Sequence, residues 1–189
     1  MYPVRIVGER VVLRDFEPDD LDASLAVVGD PRVTRTLSFD PRSRKEQAAR
    51  LAEDVERART TPRPDYYLAI TIGGSDRLSG FVRLGLGPHR SGELGYALRA
   101  DCWRRGYATE AARLMLDFAF ATLKLHRVHA ACGPDNTASQ AVLDRLGFTY
   151  EGRIRDHVLT GGAWRDSLLY GLLEQEWPPE GGDERPSLT

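Results

Sequence analysis

Lysine is nearly missing from this 189-residue chain: Lys45 and Lys124 are the only two, and arginine supplies the rest of the 26 basic residues. Against them stand 28 acidic residues, for a net charge of −2, so no excess of one sign marks the chain for nucleic acid or a membrane surface. Cysteine is equally scarce. Cys102 and Cys132 lack CxxC spacing, which argues against zinc and against a disulfide framework, and such a pair suits a reducing cytoplasm. The histidines His89, His126, His129 and His157 have no spacing that recommends a metal, so none is expected. No apolar run approaches the ~18 residues of a membrane span, and the N-terminus lacks a signal-peptide core. The phosphate-binding pattern GxxxxGKS or GxxxxGKT does not occur, which disfavours a P-loop nucleotide enzyme, and there is no internal repeat. What is present is ordinary for one folded domain: 41% hydrophobic and 29% charged residues. That domain is expected over 1–178, with 179–189 as a flexible polar tail.

Arg10 to Phe16 (RVVLRDF) alternates as a first strand. Pro18, Asp19 and Asp20 suit the start of a helix with Leu21, Leu25 and Val28 on one face and Gly29 at its stop. Asp30 to Pro41 reads as a loop. Ser43 and Glu46 match a capping box, and Ala48, Leu51, Ala52 and Val55 mark a face of the helix behind it. After a proline-broken connection, Tyr66 to Ile72 and Leu78 to Leu86 form a hairpin about Gly73–Asp76, and Glu93 to Leu98 follows as a third antiparallel strand. Further on, Arg127 to Cys132 alternates as a strand. Asp135 and Asn136 offer N-caps to a helix with Ala138, Ala141, Val142 and Leu146 on one side, and Gly147 with Phe148 makes a Schellman-like stop. Thr149 to Val158 and Ser167 to Leu173 close the chain as a strand pair around Gly161-Gly162.

The most informative stretch runs from Glu93 to Leu123 and reads as strand, short loop, helix. The loop is Arg104 to Thr109 (RRGYAT). The helix, opening at Thr109, carries Ala111, Leu114, Met115 and Phe118 at the spacing of one buried face. Such a loop turns backbone N–H groups outward at the positive end of a helix, which suits a phosphate, and Gly106 lets a ligand approach the backbone closely.

Three blocks, ELGYAL (Glu93 to Leu98), WRRGYATEA (Trp103 to Ala111) and NTASQAVLDRLGF (Asn136 to Phe148), resemble in order and spacing the GNAT superfamily of acetyl-CoA-dependent N-acetyltransferases. Within it the chain is most similar to the Rim-type branch of ribosomal-protein N-terminal acetyltransferases, over roughly Arg10 to Trp177. The resemblance implies an α/β fold: a mixed, mostly antiparallel sheet of about seven strands with a central splay, flanked by about four helices. It implies acetyl-CoA as co-substrate and no metal. The pyrophosphate would lie on backbone amides of Arg104, Arg105, Gly106, Tyr107, Ala108 and Thr109, and the pantetheine arm along Tyr96, Ala97 and Leu98 with a contact from Asn136. The reaction implied is acetyl transfer to a primary amine by direct attack. Peptide N-termini and small molecules are both candidate acceptors, and homodimers are common in the family. Two departures stand out: Trp103 occupies a position usually Gln or Arg, and Leu143 one where many relatives have a tyrosine that protonates the leaving thiolate.

Aminolysis of a thioester needs a neutral amine, a polarised carbonyl and a stabilised thiolate. Glu93, at the start of its strand, is the first candidate for receiving the amine proton, directly or through water; the plain alternative is a surface glutamate. Backbone N–H near Leu98 is the candidate for polarising the carbonyl. Ser139, one helical turn beyond Asn136, is the candidate donor to the leaving sulfur, against the alternative of an ordinary polar residue. Asn136 is either a cofactor contact or only an N-cap. The side chains of Arg104 and Arg105 either reach phosphates or are solvated. Tyr107 and Cys132 read as packing, and Tyr170 as a fallback acid. Asp30 to Pro41 and Thr160 to Arg165 are the expected substrate-facing segments. Two rivals remain: an acceptor such as a small amine or aminoglycoside, and an acyl-CoA-binding module without turnover.

Overall fold

A computed structural model describes residues 1–178; the expected tail, 179–189, lies outside the described residues. Apolar residues at alternate positions build a sheet buried on both faces over much of its width. Val11, Leu13, Leu68, Ile70, Val82, Leu84, Leu94, Val128 and Leu172 share one core cluster, while Phe16, Ala69, Phe81 and Ala97 belong to a second. The strands are β1 (Arg5–Val7), β2 (Val11–Asp15), β3 (Asp65–Ile72), β4 (Leu78–Gly87), β5 (Ser91–Leu98), β6 (Arg127–Cys132), β7 (Thr149–Thr160) and β8 (Ala163–Leu173). They form one eight-stranded sheet in the order β1-β2-β3-β4-β5-β6-β8-β7. Every neighbouring pair is antiparallel except β5 and β6, which run parallel. The sheet thus has eight strands where about seven were expected. The extra one is β1, three residues paired to β2 through Arg5↔Arg14, Ile6↔Leu13 and Val7↔Val12, too short to show a pattern.

Among the described residues five α-helices flank the sheet, one more than expected: α1 (Leu21–Val28), α2 (Pro31–Thr34), α3 (Arg44–Ala58), α4 (Tyr107–Asp117) and α5 (Thr137–Arg145). The additional helix, α2, falls inside the segment expected as a loop, with Asp30 accepting from the Arg32 N–H and Pro31 at its first position. At α3 the capping box forms as written, Ser43 and Glu46 each accepting the other's backbone N–H. Its buried face, however, is Gln47, Leu51, Asp54, Val55 and Ala58, and Ala52 is exposed. Gly147 adopts φ +82° after α5, and Phe148 N–H donates to Leu143 O at 3.1 Å, the Schellman closure. The α5 face also differs from expectation. Leu146 is buried as expected, but Ala138 and Ala141 are exposed and Leu143 is buried in their place.

Helices α4 and α5 cover one face of the sheet and α1, α2 and α3 cover the other over β3, β4 and the end of β5. Among the described residues no helix covers that second face over the start of β5, β6 and β8, where an open pocket lies. No helix is long and apolar enough to cross a membrane among the described residues.

Candidate active site

The parallel pairing of β5 and β6 is short. Ser91↔Arg127, Gly92↔Val128 and Glu93↔His129 are in register, and beyond Glu93 the strands share no further pair. Past that point β6 pairs only with β8, through Ala130↔Tyr170 to Cys132↔Leu168, and β5 only with β4, out to Leu98↔Gly80. The expected splay therefore opens at Glu93. Arg90 O accepts from His126 N at 2.7 Å and Leu98 O accepts from Trp103 Nε1 at 2.8 Å, so the even-numbered residues of this strand face β6. By strand alternation the backbone N–H and C=O of Leu94 and Tyr96 face the gap, whereas Ala97 is turned toward β4 opposite Phe81. Of the three residues expected along a pantetheine arm, only Tyr96 thus offers both backbone groups. Leu98 has its carbonyl engaged by Trp103.

At the far end of β5 the chain reaches Arg104–Gly106, all exposed, with Arg104 at φ +60° and Gly106 at φ +81°. Gly106 is the N-cap of α4 and gives no side-chain cap, so the helix begins at Tyr107 and not at Thr109. Tyr107, Ala108 and Thr109 are its first three residues, whose N–H groups have no partner within the helix. The acidic residue of that first turn, Glu110, is directed away. Its Oε1 accepts from Arg10 N at 2.7 Å and Val11 N at 3.0 Å, and its Oε2 accepts from Arg10 Nε at 2.9 Å. Arg10 in turn donates to Arg105 O at 3.2 Å and lies over the Tyr107 ring, 5.4 Å from its centroid. The loop that offers its amides is thus braced from β2, and its first turn has its negative charge neutralised. These features fit a pyrophosphate. Arg10 was invisible from sequence, because its partner is 100 residues away.

Between loop and splay apex, α5 presents its N-terminus. Asn136 caps it, Oδ1 accepting from Ser139 N at 3.2 Å. Ser139 Oγ lies 3.0 Å from the hydroxyl of Tyr96, which crosses from β5 to meet it. Leu143, at the position where a tyrosine is common, is 1% exposed and belongs to the core. Cys132 is buried, and desolvation pushes its thiol up. Tyr170, on β8 opposite Ala130, is 5% exposed and packs edge-on against Tyr150, with burial pushing its phenol up.

On the uncovered face an open pocket of about 560 Å³ lies over the β5–β6 ladder and reaches its end at Glu93 and His129. Glu93 and its ladder neighbour His129 line it together with Ala131, Ile154 and Leu169. His89, His126 and His157 line it too, so all four histidines of the chain gather in this one pocket. They arrive from the β4–β5 turn (His89), the residue just before β6 (His126), β6 (His129) and β7 (His157), which is why no spacing betrayed them. His157 Nδ1 lies 3.0 Å from Ser167 Oγ, and His126 Nδ1 lies 3.2 Å from Glu174 Oε1. Arg127 clasps Glu151 through both guanidinium nitrogens and holds its carboxyl below the usual range. Among the described residues no group of three or more His, Cys, Asp or Glu is placed to hold a metal. The two segments expected to face substrate meet beside this pocket. Gly161 N donates to Asp40 Oδ1 at 2.8 Å, and Arg165 donates to Arg35 O and Leu37 O.

A family model described as "Acetyltransferase (GNAT) domain" matches residues 10–149. The chain is 30% identical over 188 residues to the putative ribosomal N-acetyltransferase YdaF of Bacillus subtilis, covering 92% of this chain and 97% of that one. Over a shorter stretch of 86 residues it is 35% identical to the [Ribosomal protein uS5]-alanine N-acetyltransferase of Escherichia coli, 46% of this chain and 44% of that protein. Among solved structures it is similar to Mycobacterium smegmatis RimJ in complex with CoA-disulfide, with a TM-score of 0.82, 26% identity and coverage of 94% and 91%. An α/β sheet splayed beside an amide-rich helix start, together with these matches, identifies the chain as a member of the GNAT family, an acetyl-CoA-dependent N-acetyltransferase.

Proposed function

We propose that this acetyltransferase acts on the α-amine of a protein or peptide N-terminus. The observation that carries the reading is the end of the β5–β6 ladder at Glu93↔His129, which puts the gap between the strands and the open-face pocket on either side of one point. In this arrangement the amides of Gly106, Tyr107, Ala108 and Thr109, aided by the side chains of Arg104 and Arg105, hold the pyrophosphate. Tyr96 backbone and Asn136 hold the pantetheine arm. Acetyl-CoA supplies a thioester carbonyl at the splay. The acceptor enters from the open pocket, where Glu93 receives its proton directly or through water, and Ser139 gives a hydrogen bond to the leaving sulfur.

An α-amine suits a carboxylate base. Its ordinary pKa of about 7.7–8.0, against about 10.4 for lysine, leaves a much larger neutral fraction at pH 7. The pocket is open to solvent, so a chain attached to the amine can lead away, and ribosomal proteins are named in the relatives above. An acceptor screen that follows free CoA tests the proposal. Peptides with Ser, Ala or Met N-termini should be turned over at kcat/KM well above that of small amines, aminoglycosides or the same peptides with blocked N-termini. Turnover confined to a small molecule would overturn it.

A further inference from the structure

The hydroxyl of Tyr96 stands in an unusual place. Tyr96 belongs to the stretch of β5 that has lost its neighbour β6, and its phenol reaches under the gap to α5. There it lies 3.0 Å from Ser139 Oγ and 3.3 Å from Ser139 O. The carbonyl of Ser139 already serves the α5 ladder toward Leu143, so the hydroxyl is the more available acceptor. A phenol donating to Ser139 Oγ leaves the serine proton for another acceptor, and the buried Cys132 thiol, which also meets the Ser139 side chain, is its neighbour until a CoA sulfur arrives. Burial first, and Cys132 alongside it, push the Tyr96 phenol up, with the Ser139 bond opposing them, so this hydroxyl keeps its proton. The titratable group beside the pair is Cys132 on β6, which Asp144 on α5 and Tyr170 on β8 face in turn.

We propose that Tyr96 is a positioning residue for the leaving group: its phenol orients Ser139 so that the serine hydroxyl donates to the departing sulfur of CoA. This rests on the proposed placement of the thioester at the splay. In the transfer, the amine nitrogen forms the new C–N bond and the C–S bond breaks with both electrons passing to sulfur. The proton lost by nitrogen goes to Glu93 or water. Tyr96 and Ser139 keep their own protons and stabilise the sulfur anion by a hydrogen bond, which is strongest when the acceptor carries charge. The effect is therefore larger on the thiolate than on the thioester.

The test uses the Tyr96→Phe variant, which keeps the ring, and compares binding of CoA with binding of desulfo-CoA by calorimetry, alongside steady-state kinetics. The variant should lose about tenfold in kcat with KM for acetyl-CoA within about twofold. Its preference for CoA over desulfo-CoA should shrink by a similar factor, while desulfo-CoA binds as in the wild type. Ser139→Ala should do the same, and the double variant should be no worse than Ser139→Ala alone, because the two act as one unit. Equal CoA preference in wild type and Tyr96→Phe, or additive losses in the double variant, would overturn the inference while leaving the acetyltransferase site intact. Absence of CoA binding to the wild type would overturn both. If Tyr96→Phe melts early, Ser139→Ala read against desulfo-CoA still decides: an unchanged preference there refutes the role of the pair.

Discussion

Glu110 joins the edge of the sheet to the phosphate loop, and replacing it with alanine should damage both. Its carboxylate accepts three hydrogen bonds, from Arg10 N, Val11 N and Arg10 Nε. The three are not equal. Val11 is fully buried, so its N–H loses an acceptor that water replaces poorly, at about 1–3 kcal/mol. The ion pair counts for less, because the Arg10 side chain is 49% exposed against 13% for Glu110; a pair of that kind is worth roughly 0–1 kcal/mol. Removing an acid from the first turn of α4 adds about 0.3–1 kcal/mol. The total is about 1–5 kcal/mol, and at ~2–4 °C per kcal/mol for a domain of this size Tm should fall by roughly 3–20 °C. Glu110→Gln keeps an acceptor oxygen and should recover about half of the loss. Arg10, released from Glu110, no longer braces Arg105 O, so the KM for acetyl-CoA should rise in Glu110→Ala as well. Thermal melts by circular dichroism, with and without acetyl-CoA, measure both effects. A Glu110→Ala melt within about 2 °C of wild type would refute the reasoning, since the Val11 N–H would then have no need of its partner.

Gly106→Ala forces a side chain into φ +81°, at about 1–2 kcal/mol, so acetyl-CoA should bind roughly tenfold more weakly by calorimetry; unchanged affinity would separate this turn from the phosphates. Glu93→Gln should lower kcat/KM by about a hundredfold, and a profile between about pH 6 and 9 identical to wild type would remove Glu93 from the proton-accepting role. Arg127 lowers the Glu151 carboxyl, so their pairing stabilises above the unfolded carboxylate pKa of about 4.3 and is lost as pH falls through the lowered folded value. In Arg127→Met the extra stability at neutral pH over acid pH should shrink by up to about 1 kcal/mol in urea titrations, the pair being partly exposed. Cys102 and Cys132 are both free and buried, so a thiol reagent should label the native protein slowly and both cysteines after denaturation; fast native labelling of Cys132 would contradict its burial.

Local signals read well from sequence where each residue's part is settled by near neighbours. The Ser43–Glu46 box, the Gly147–Phe148 stop and the turns of the β3–β4 and β7–β8 hairpins all form where their residues predict. The expected buried stripe also holds at Ala111 and Met115 of α4 and at Phe118 just past its end, while Leu114 is half-buried. Alanine misled. Ala52, Ala138 and Ala141 fit apolar faces on paper, yet they bury so little surface that Asp54, Gln47 and Leu143 set the actual orientation of α3 and α5. The site shows the same divide. The loop and the splay strands were recognisable as blocks of sequence. The Arg10–Glu110 brace and the Tyr96–Ser139 contact join residues far apart in the chain, 100 apart in the first case, and the gathering of four histidines depends on strand order, which no local period encodes. The contact at Ser139 spans 43 residues.

The central claim is that acetyl-CoA lies in the splay and on the start of α4. Hydrogen–deuterium exchange of the full chain, with and without saturating acetyl-CoA, tests it most directly. The account predicts slowed exchange at the amides of Leu94 and Tyr96 and at Tyr107, Ala108 and Thr109, with Ile70 in the distant half of the sheet unchanged. Protection that leaves Leu94, Tyr96 and Tyr107 to Thr109 exchanging as before would contradict it.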